Sequence, residues 1–98
     1  MRLSPAELAA IREALRGESY SRVFLFGSRT DDLARGGDID LLVYSAAPAF
    51  ALANRIASRF AREFDARLDV LVVDPESPTP EQADFLSTLN PEPIDDLV

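Results

Sequence analysis

The order of the predicted secondary structure elements indicates an α/β fold in which helices flank a small mixed β-sheet. Three observations predict it. Two helix-capping signatures open amphipathic segments, three short apolar runs have the length of buried strands, and the longest amphipathic segment lies between the second and third runs. Because crossovers between parallel strands are nearly always right-handed, we expect the long helix to return the chain so that these two strands run parallel.

The first element is predicted to be an amphipathic helix from Pro5 to Arg16. Ser4 stands at its N-cap and Glu7 at the third helical position, which together form a capping box with proline at the first helical position. Gly17 is a natural end for the helix. Its apolar residues fall at helical spacing: Leu8, Ile11 and Leu15.

The three apolar runs are predicted to be strands. They extend from Arg22 to Phe26, from Asp38 to Tyr44 and from Arg67 to Val73. Such continuous apolar runs are suited to burial between two layers. Asp69 is the lone charge near the start of the third run, and if this strand lies beside the second it can face the same cleft as Asp38 and Asp40.

The longest helix is predicted from Ala47 to Phe64, with a proline near its start. Its arginines fall largely off the apolar stripe and are expected to form a solvated face, with phosphate contact as the alternative; they are Arg55, Arg59 and Arg62. The stripe itself is predicted to consist of Phe50, Ala53, Ile56, Ala57, Phe60 and Phe64.

A last, short helix is predicted after a second capping signature, in which Thr79 is the N-cap and Gln82 the third helical residue. Ala83, Phe85, Leu86 and Leu89 give its apolar positions, and Asn90-Pro91 ends it. The acidic residues 91–98 are expected to be either a flexible tail or a short edge strand.

The residue types that are absent exclude several kinds of site. The chain has no cysteine, no histidine and no lysine, so every basic residue is an arginine. Without them there is no Ser-His-Asp triad, no Cys-His dyad, no zinc site of Cys and His, and no P-loop lysine. Any acid–base or metal chemistry therefore falls to Asp, Glu, Tyr or Ser.

The length and the net charge of the chain limit which kinds of partner we expect. The 98 residues predict a single domain, 1–98, small enough that a homo- or hetero-oligomer would help to cover apolar surface. The net charge of −7 argues against nucleic acid as a partner. There is no apolar run of about 18 residues and no leader of basic then apolar residues, so we expect no membrane association and a cytoplasmic protein.

The chemistry is concentrated where the first strand ends and the second begins. Gly27, Ser28 and Arg29 follow the first strand, and the backbone N–H groups of such a turn can hold a phosphate. Asp38 and Asp40 alternate along the second strand, so their side chains project from one face, about 7 Å apart. Magnesium prefers oxygen ligands and is usually bound by one or two carboxylates together with substrate phosphates. The pattern therefore indicates nucleotide chemistry.

Gly27-Ser28, nine intervening residues and Asp38-Ile39-Asp40 resemble the signature of the nucleotidyltransferase superfamily that includes polymerase beta. The sequence FGSR…ARGGDIDLLV, together with the small size of the chain, is most similar to members of its minimal nucleotidyltransferase (MNT) branch. The resemblance extends roughly from Ser4 to Asp74. It implies the nucleotidyltransferase fold core, with the carboxylates at one end of the sheet.

The resemblance implies that a nucleoside triphosphate, which we expect to be ATP, gives its nucleoside monophosphate to an acceptor hydroxyl and releases pyrophosphate. It implies two magnesium ions held by Asp38 and Asp40, while Asp69 helps to hold the ion nearest the acceptor and assists deprotonation. Gly27 and Ser28 would hold the β and γ phosphates. Arg29 is a further candidate for phosphate contact, or pairs with a neighbouring aspartate.

In the MNT branch the partner is often an all-helical HEPN-domain protein, and the two form a toxin–antitoxin pair in which the MNT member is the antitoxin. Some members nucleotidylate a tyrosine of the toxin. Two alternatives to this function remain at this point. One is a catalytically silent module that neutralises a helical partner by contact, and the other is a small-molecule transferase of the antibiotic-modifying kind.

Overall fold

The computed structural model describes residues 3–27 and 38–98 of the chain. In chain order the elements are α1 (Pro5–Leu15), β1 (Arg22–Phe26), β2 (Ile39–Tyr44), α2 (Ala49–Glu63), β3 (Leu68–Val73), α3 (Pro80–Ser87) and β4 (Glu92–Pro93). The predicted α/β order is confirmed. The ends of the elements from α1 to β3 differ from the prediction by at most two residues.

The strands form one mixed sheet in the order β3-β2-β1-β4. β2 runs parallel to β3, as expected for a right-handed crossover through α2. β1 is antiparallel to both of its neighbours, β2 and β4. The two central strands are therefore β2 and β1, and β2 carries the predicted aspartates.

One face of the sheet is covered by α1 and α2. Alternate strand residues point into this layer, as the period of two requires: Val23, Leu25, Ile39, Leu41, Val43, Leu68 and Val72. From α2 the fully buried side chains are Leu52, Ile56 and Phe60, spaced four residues apart. This is the main core of the protein, and its closed packing fixes which side of each strand faces outward.

The predicted apolar stripe of α2 is wrong at Phe50, whose side chain is 81% exposed. The buried stripe begins instead at Leu52 and continues through Ile56 to Phe60. Phe50 stands two residues before Leu52, about 200° around the helix axis, so it points away from the sheet. The prediction placed Phe50 on the buried stripe in place of Leu52 because both residues are apolar and lie in the first turn of α2.

The opposite face of the sheet is only partly covered. Phe24, Leu42 and Val73 are buried there, and α3 contributes Leu86 at the edge of this cluster. No residue of α3 is itself buried. The predicted apolar face of α3 therefore makes a light contact, and the described residues leave this side of the sheet partly accessible.

Residues 91–98 contain the edge strand β4, which lies beside the central strand β1. β4 pairs with Phe24 and Leu25, and the following residue, Ile94, is buried against the main core. The Asp95 carboxylate accepts hydrogen bonds from Arg22 Nε at 3.1 Å and from Val23 N at 2.9 Å. Of the two interpretations of this segment, the structure has the short edge strand.

Both predicted capping boxes are present. Ser4 Oγ accepts from Glu7 N at 3.1 Å, and the Glu7 carboxylate accepts from Ser4 N at 2.8 Å. Thr79 and Gln82 make the same reciprocal pair at the start of α3. In the part of the chain that the structure describes, no helix combines the length and apolar character that a membrane crossing needs.

Two of the α2 arginines do not simply form a solvated face. Arg55 and Arg59 both pair with Glu18, at 2.9 and 2.8 Å, and the side chain of Glu18 is only 9% exposed. Arg59 also donates to the backbone oxygens of Ala14 and Arg16 at the end of α1. The hydrogen bond from Arg55, and then the charges of both arginines, lower the pKa of the Glu18 carboxyl. Glu18 thus joins α1 to α2.

We expect Glu18→Gln to lower the free energy of unfolding by about 1–2 kcal/mol at neutral pH, between the values for exposed and buried pairs. Because the pKa of Glu18 is lowered by folding, this contribution is present above its ordinary pKa of 4.5 and is lost as the pH falls through the folded value. Urea denaturation at several pH values measures it. Glu13→Gln, which removes an exposed pair with Arg16, is the control and should change little. Equal losses in the two variants would contradict the expectation.

Candidate active site

Asp40 and Asp69 face each other on the neighbouring strands β2 and β3. They are register partners in the parallel pairing of β2 with β3. Both are half-buried, and both line a cleft of about 550 Å³ on the partly covered face of the sheet. Asp69 was predicted to face the same cleft as Asp38 and Asp40; the structure places it there with Asp40, whereas Asp38 is not among the residues that line the cleft.

Asp38 stands immediately before β2 and is exposed. The strand predicted to start at Asp38 starts one residue later, at Ile39, whose N–H donates to the backbone oxygen of Arg67 at 3.1 Å. The charge of Asp38 still acts on Asp40. The structure thus brings Asp40 and Asp69 together and leaves Asp38 exposed, just before the strand that carries Asp40.

Gly27 follows the last residue of β1 and lies beside Asp40. Its φ of +77° lies in the region that side chains disfavour. A Cβ at this position would clash with the Asp40 carboxylate and lie 3.2 Å from its Cγ. Two independent constraints therefore require glycine here, a left-handed backbone and the close approach of a carboxylate.

Ser28 and Arg29, the other two predicted phosphate-binding residues, lie outside the described residues. Their roles remain predictions, as does the pairing suggested for Arg29. The described end of β1 is consistent with the position expected for such a turn, because Phe26 is the register partner of Asp40.

The electrostatics of the pair favour a cation. Burial, and then the carboxylates of Asp69 and Asp38, raise the pKa of the Asp40 carboxyl, while Arg67 lowers it. Two facing carboxylates with a third nearby repel one another unless positive charge lies between them. Asp40 and Asp69 supply the oxygen ligands that magnesium prefers, and substrate phosphates commonly complete such a site.

Within residues 3–27 and 38–98, no three acidic, histidine or cysteine side chains converge closely enough to hold a metal ion by themselves. The arrangement is that of an open site with two facing carboxylates. It fits a cation that is shared with a substrate better than one enclosed by protein ligands. Asp38, the third predicted ligand, would have to turn toward the pair.

Arg67 is the site residue that the sequence analysis missed. Its Nε donates to Asp69 Oδ1 at 3.0 Å, and it lines the cleft with Asp40 and Asp69. Residues two apart on a strand share a face, so the spacing from Arg67 to Asp69 could have pointed to the contact. The apolar pattern predicts Arg67 only as the first residue of the third strand and assigns it no contact.

The rest of the cleft is largely apolar. Phe26 and Phe85 pack edge to face with ring centroids 6.0 Å apart. Val70 and Leu71 of β3 also line the cleft, with Glu81 and Gln82 from α3. The carboxylates thus stand at one end of an apolar surface that is large enough for a ring or an apolar side chain.

We expect Gly27→Ala to be more destabilising than Gly17→Ala. Both glycines have a positive φ, so each variant should lose roughly 1 kcal/mol from backbone strain. At Gly17 a Cβ meets nothing within 4 Å, whereas at Gly27 it also displaces Asp40. Urea denaturation of the two variants measures the difference. Equal losses would show that the close approach of Asp40 is not a constraint.

We expect Asp40→Asn to be more stable than the wild type at neutral pH in the absence of divalent cations. A carboxyl whose pKa is raised by folding contributes stability that is fully present below its ordinary pKa, here 3.8, and is lost as the pH rises through the folded value. The gain should therefore disappear as the pH falls to about 4. Thermal unfolding with a chelator measures it, and a variant that is less stable at neutral pH would contradict the electrostatic account.

Comparison with known proteins agrees with the geometry. The model of a family described as nucleotidyltransferase domain matches residues 8–90, a segment that holds Gly27, Asp38, Asp40 and Asp69. The comparison with curated proteins gave no match. The three helices and the four-stranded mixed sheet of the described residues agree with the fold implied by the resemblance, while the MNT branch remains a prediction. The chain belongs to the nucleotidyltransferase domain family, within the superfamily that includes polymerase beta.

Proposed function

We propose that the chain transfers AMP from ATP to a hydroxyl group of a partner protein, in a reaction that requires magnesium. Membership of the family supports nucleotidyl transfer in general. The observation that carries the proposal is the facing pair of Asp40 and Asp69, held in register on parallel strands next to Gly27. Magnesium, ATP and a protein acceptor are the specific parts that need testing.

Asp38, Asp40 and Asp69 would hold two magnesium ions together with the phosphates of ATP. When bound, the ions lower the pKa of the acceptor hydroxyl and neutralise the pyrophosphate that leaves. Asp69 stands at the cleft and takes the proton of the acceptor hydroxyl. The acceptor oxygen then forms a bond to the α phosphorus, and the bond from that phosphorus to pyrophosphate breaks.

The phosphates would be held at the end of β1. Gly27 and Ser28 provide backbone N–H groups, and Ser28 adds a hydroxyl, for the β and γ phosphates. Arg29 would supply positive charge. The apolar lining of the cleft beside Asp69 suits an acceptor that brings apolar contacts with it, and this favours a protein side chain over a polar small molecule.

By the resemblance to the MNT branch, the proposed partner is a helical HEPN-type protein, with this chain as antitoxin of the pair. Contact alone could also neutralise such a partner. The Asp40–Asp69 pair favours catalysis, because a binding module has no use for carboxylates that repel each other. The test below distinguishes the two.

The decisive assay incubates the protein with ATP labelled at the α phosphate, magnesium and the product of the neighbouring gene. We expect label on the partner, and a loss of at least about 100-fold in Asp40→Asn and Asp69→Asn, because each removes a ligand used in the transition state. Asp96→Asn, an exposed carboxylate outside the cleft, is the control and should transfer normally.

Label that persists unchanged in both cleft variants would contradict the mechanism. A stable complex without label would support the binding module. Label on an added aminoglycoside, but not on protein, would support the small-molecule alternative.

A further inference from the structure

Arg67 combines a fixed backbone with an exposed side chain. Its carbonyl oxygen accepts from Ile39 N at 3.1 Å, at the first register pair of β2 with β3. The side chain is 72% exposed and reaches along the strand to Asp69. The backbone therefore fixes Arg67 at the cleft, while its exposed side chain can rotate and reorient the guanidinium without moving the sheet.

Arg67 differs in the sign of its charge from the other charged residues that are described in the cleft. Among the described residues that line it, the other charged side chains are Asp40, Asp69 and Glu81, all acidic. A nucleoside triphosphate brings several further negative charges to this surface. A cation placed here is more useful to the phosphates than to a carboxylate that a metal ion can neutralise.

The contact with Asp69 is of a kind that is easily exchanged. It is a single hydrogen bond from Nε to Oδ1, between side chains that are 72% and 41% exposed. Glu18, by contrast, is 9% exposed and is held by two arginines. Exposed pairs contribute little to stability, so a divalent cation can displace Arg67 from Asp69 at low cost.

We propose that Arg67 is a nucleotide-binding residue that exchanges partners during the reaction cycle. Its guanidinium neutralises Asp69 in the free protein, and it turns to a phosphate of the nucleoside triphosphate when a divalent cation binds to the carboxylates. Arginine suits the second role because its planar fork matches phosphate oxygens bidentately. This inference rests on the proposed function, which supplies the cation and the nucleotide.

The exchange predicts opposite effects on two affinities. Arg67→Gln should bind Mn²⁺ roughly two- to fivefold more tightly without nucleotide, because the competing cation is gone. The same variant should bind a non-hydrolysable ATP analogue with magnesium roughly tenfold more weakly, because a charged phosphate ligand is lost. Electron paramagnetic resonance of Mn²⁺ and calorimetry of the analogue measure the two affinities.

Two variants complete the test. Arg16→Gln removes a pair with Glu13 of almost equal exposure, 71% and 48%, and should change neither affinity. Arg67→Lys keeps the charge but loses the fork, so it should bind Mn²⁺ like the wild type and recover only part of the nucleotide affinity.

Unchanged affinities in Arg67→Gln, or changes of the same sign, would overturn the exchange. Failure of the proposed function gives a different result. In that case wild type, Asp40→Asn and Asp69→Asn would bind Mn²⁺ equally weakly, and both the proposed function and the exchange would be overturned together.

Discussion

The parallel pairing of β2 with β3 is the constraint on which the rest of the site depends. It sets Asp40 opposite Asp69 and continues to the hydrogen bond between Ile39 and Arg67. A shift of one residue in either strand would turn its aspartate into the layer beneath α1 and α2. Because Ile39 and Leu41 are fully buried in that layer, the hydrophobic core itself maintains the position of the carboxylates.

The two faces of the sheet have different tasks. The face under α1 and α2 is closed, and Glu18, which follows α1, joins this helix to Arg55 and Arg59 of α2. The other face carries a smaller apolar cluster and a helix, α3, without a buried residue. Stability is thus concentrated on one side, which leaves the other side open to substrates and able to tolerate the repulsion around Asp40.

Local signals predicted much of the fold and part of the site. The capping box at Ser4 and the glycine after Phe26 depend on a few neighbouring residues and are visible in sequence. The period of two placed Asp40 and Asp69 on accessible faces once a crossover was assumed. Long-range choices were harder: periodicity did not distinguish Phe50 from Leu52. The partner of Arg55 is Glu18, which lies 37 residues away in the sequence. Arg67 belongs to no recognisable motif.

The central claim is that Asp40 and Asp69 act as one cation-binding pair. The most direct test is the rise in melting temperature caused by magnesium with ATP, measured in wild type, Asp40→Asn, Asp69→Asn and the double variant. Since a ligand that binds only the folded state stabilises it, we predict that each single variant loses nearly the whole rise and the double variant loses no more. A full rise in either single variant, or two additive partial losses, would contradict the pair.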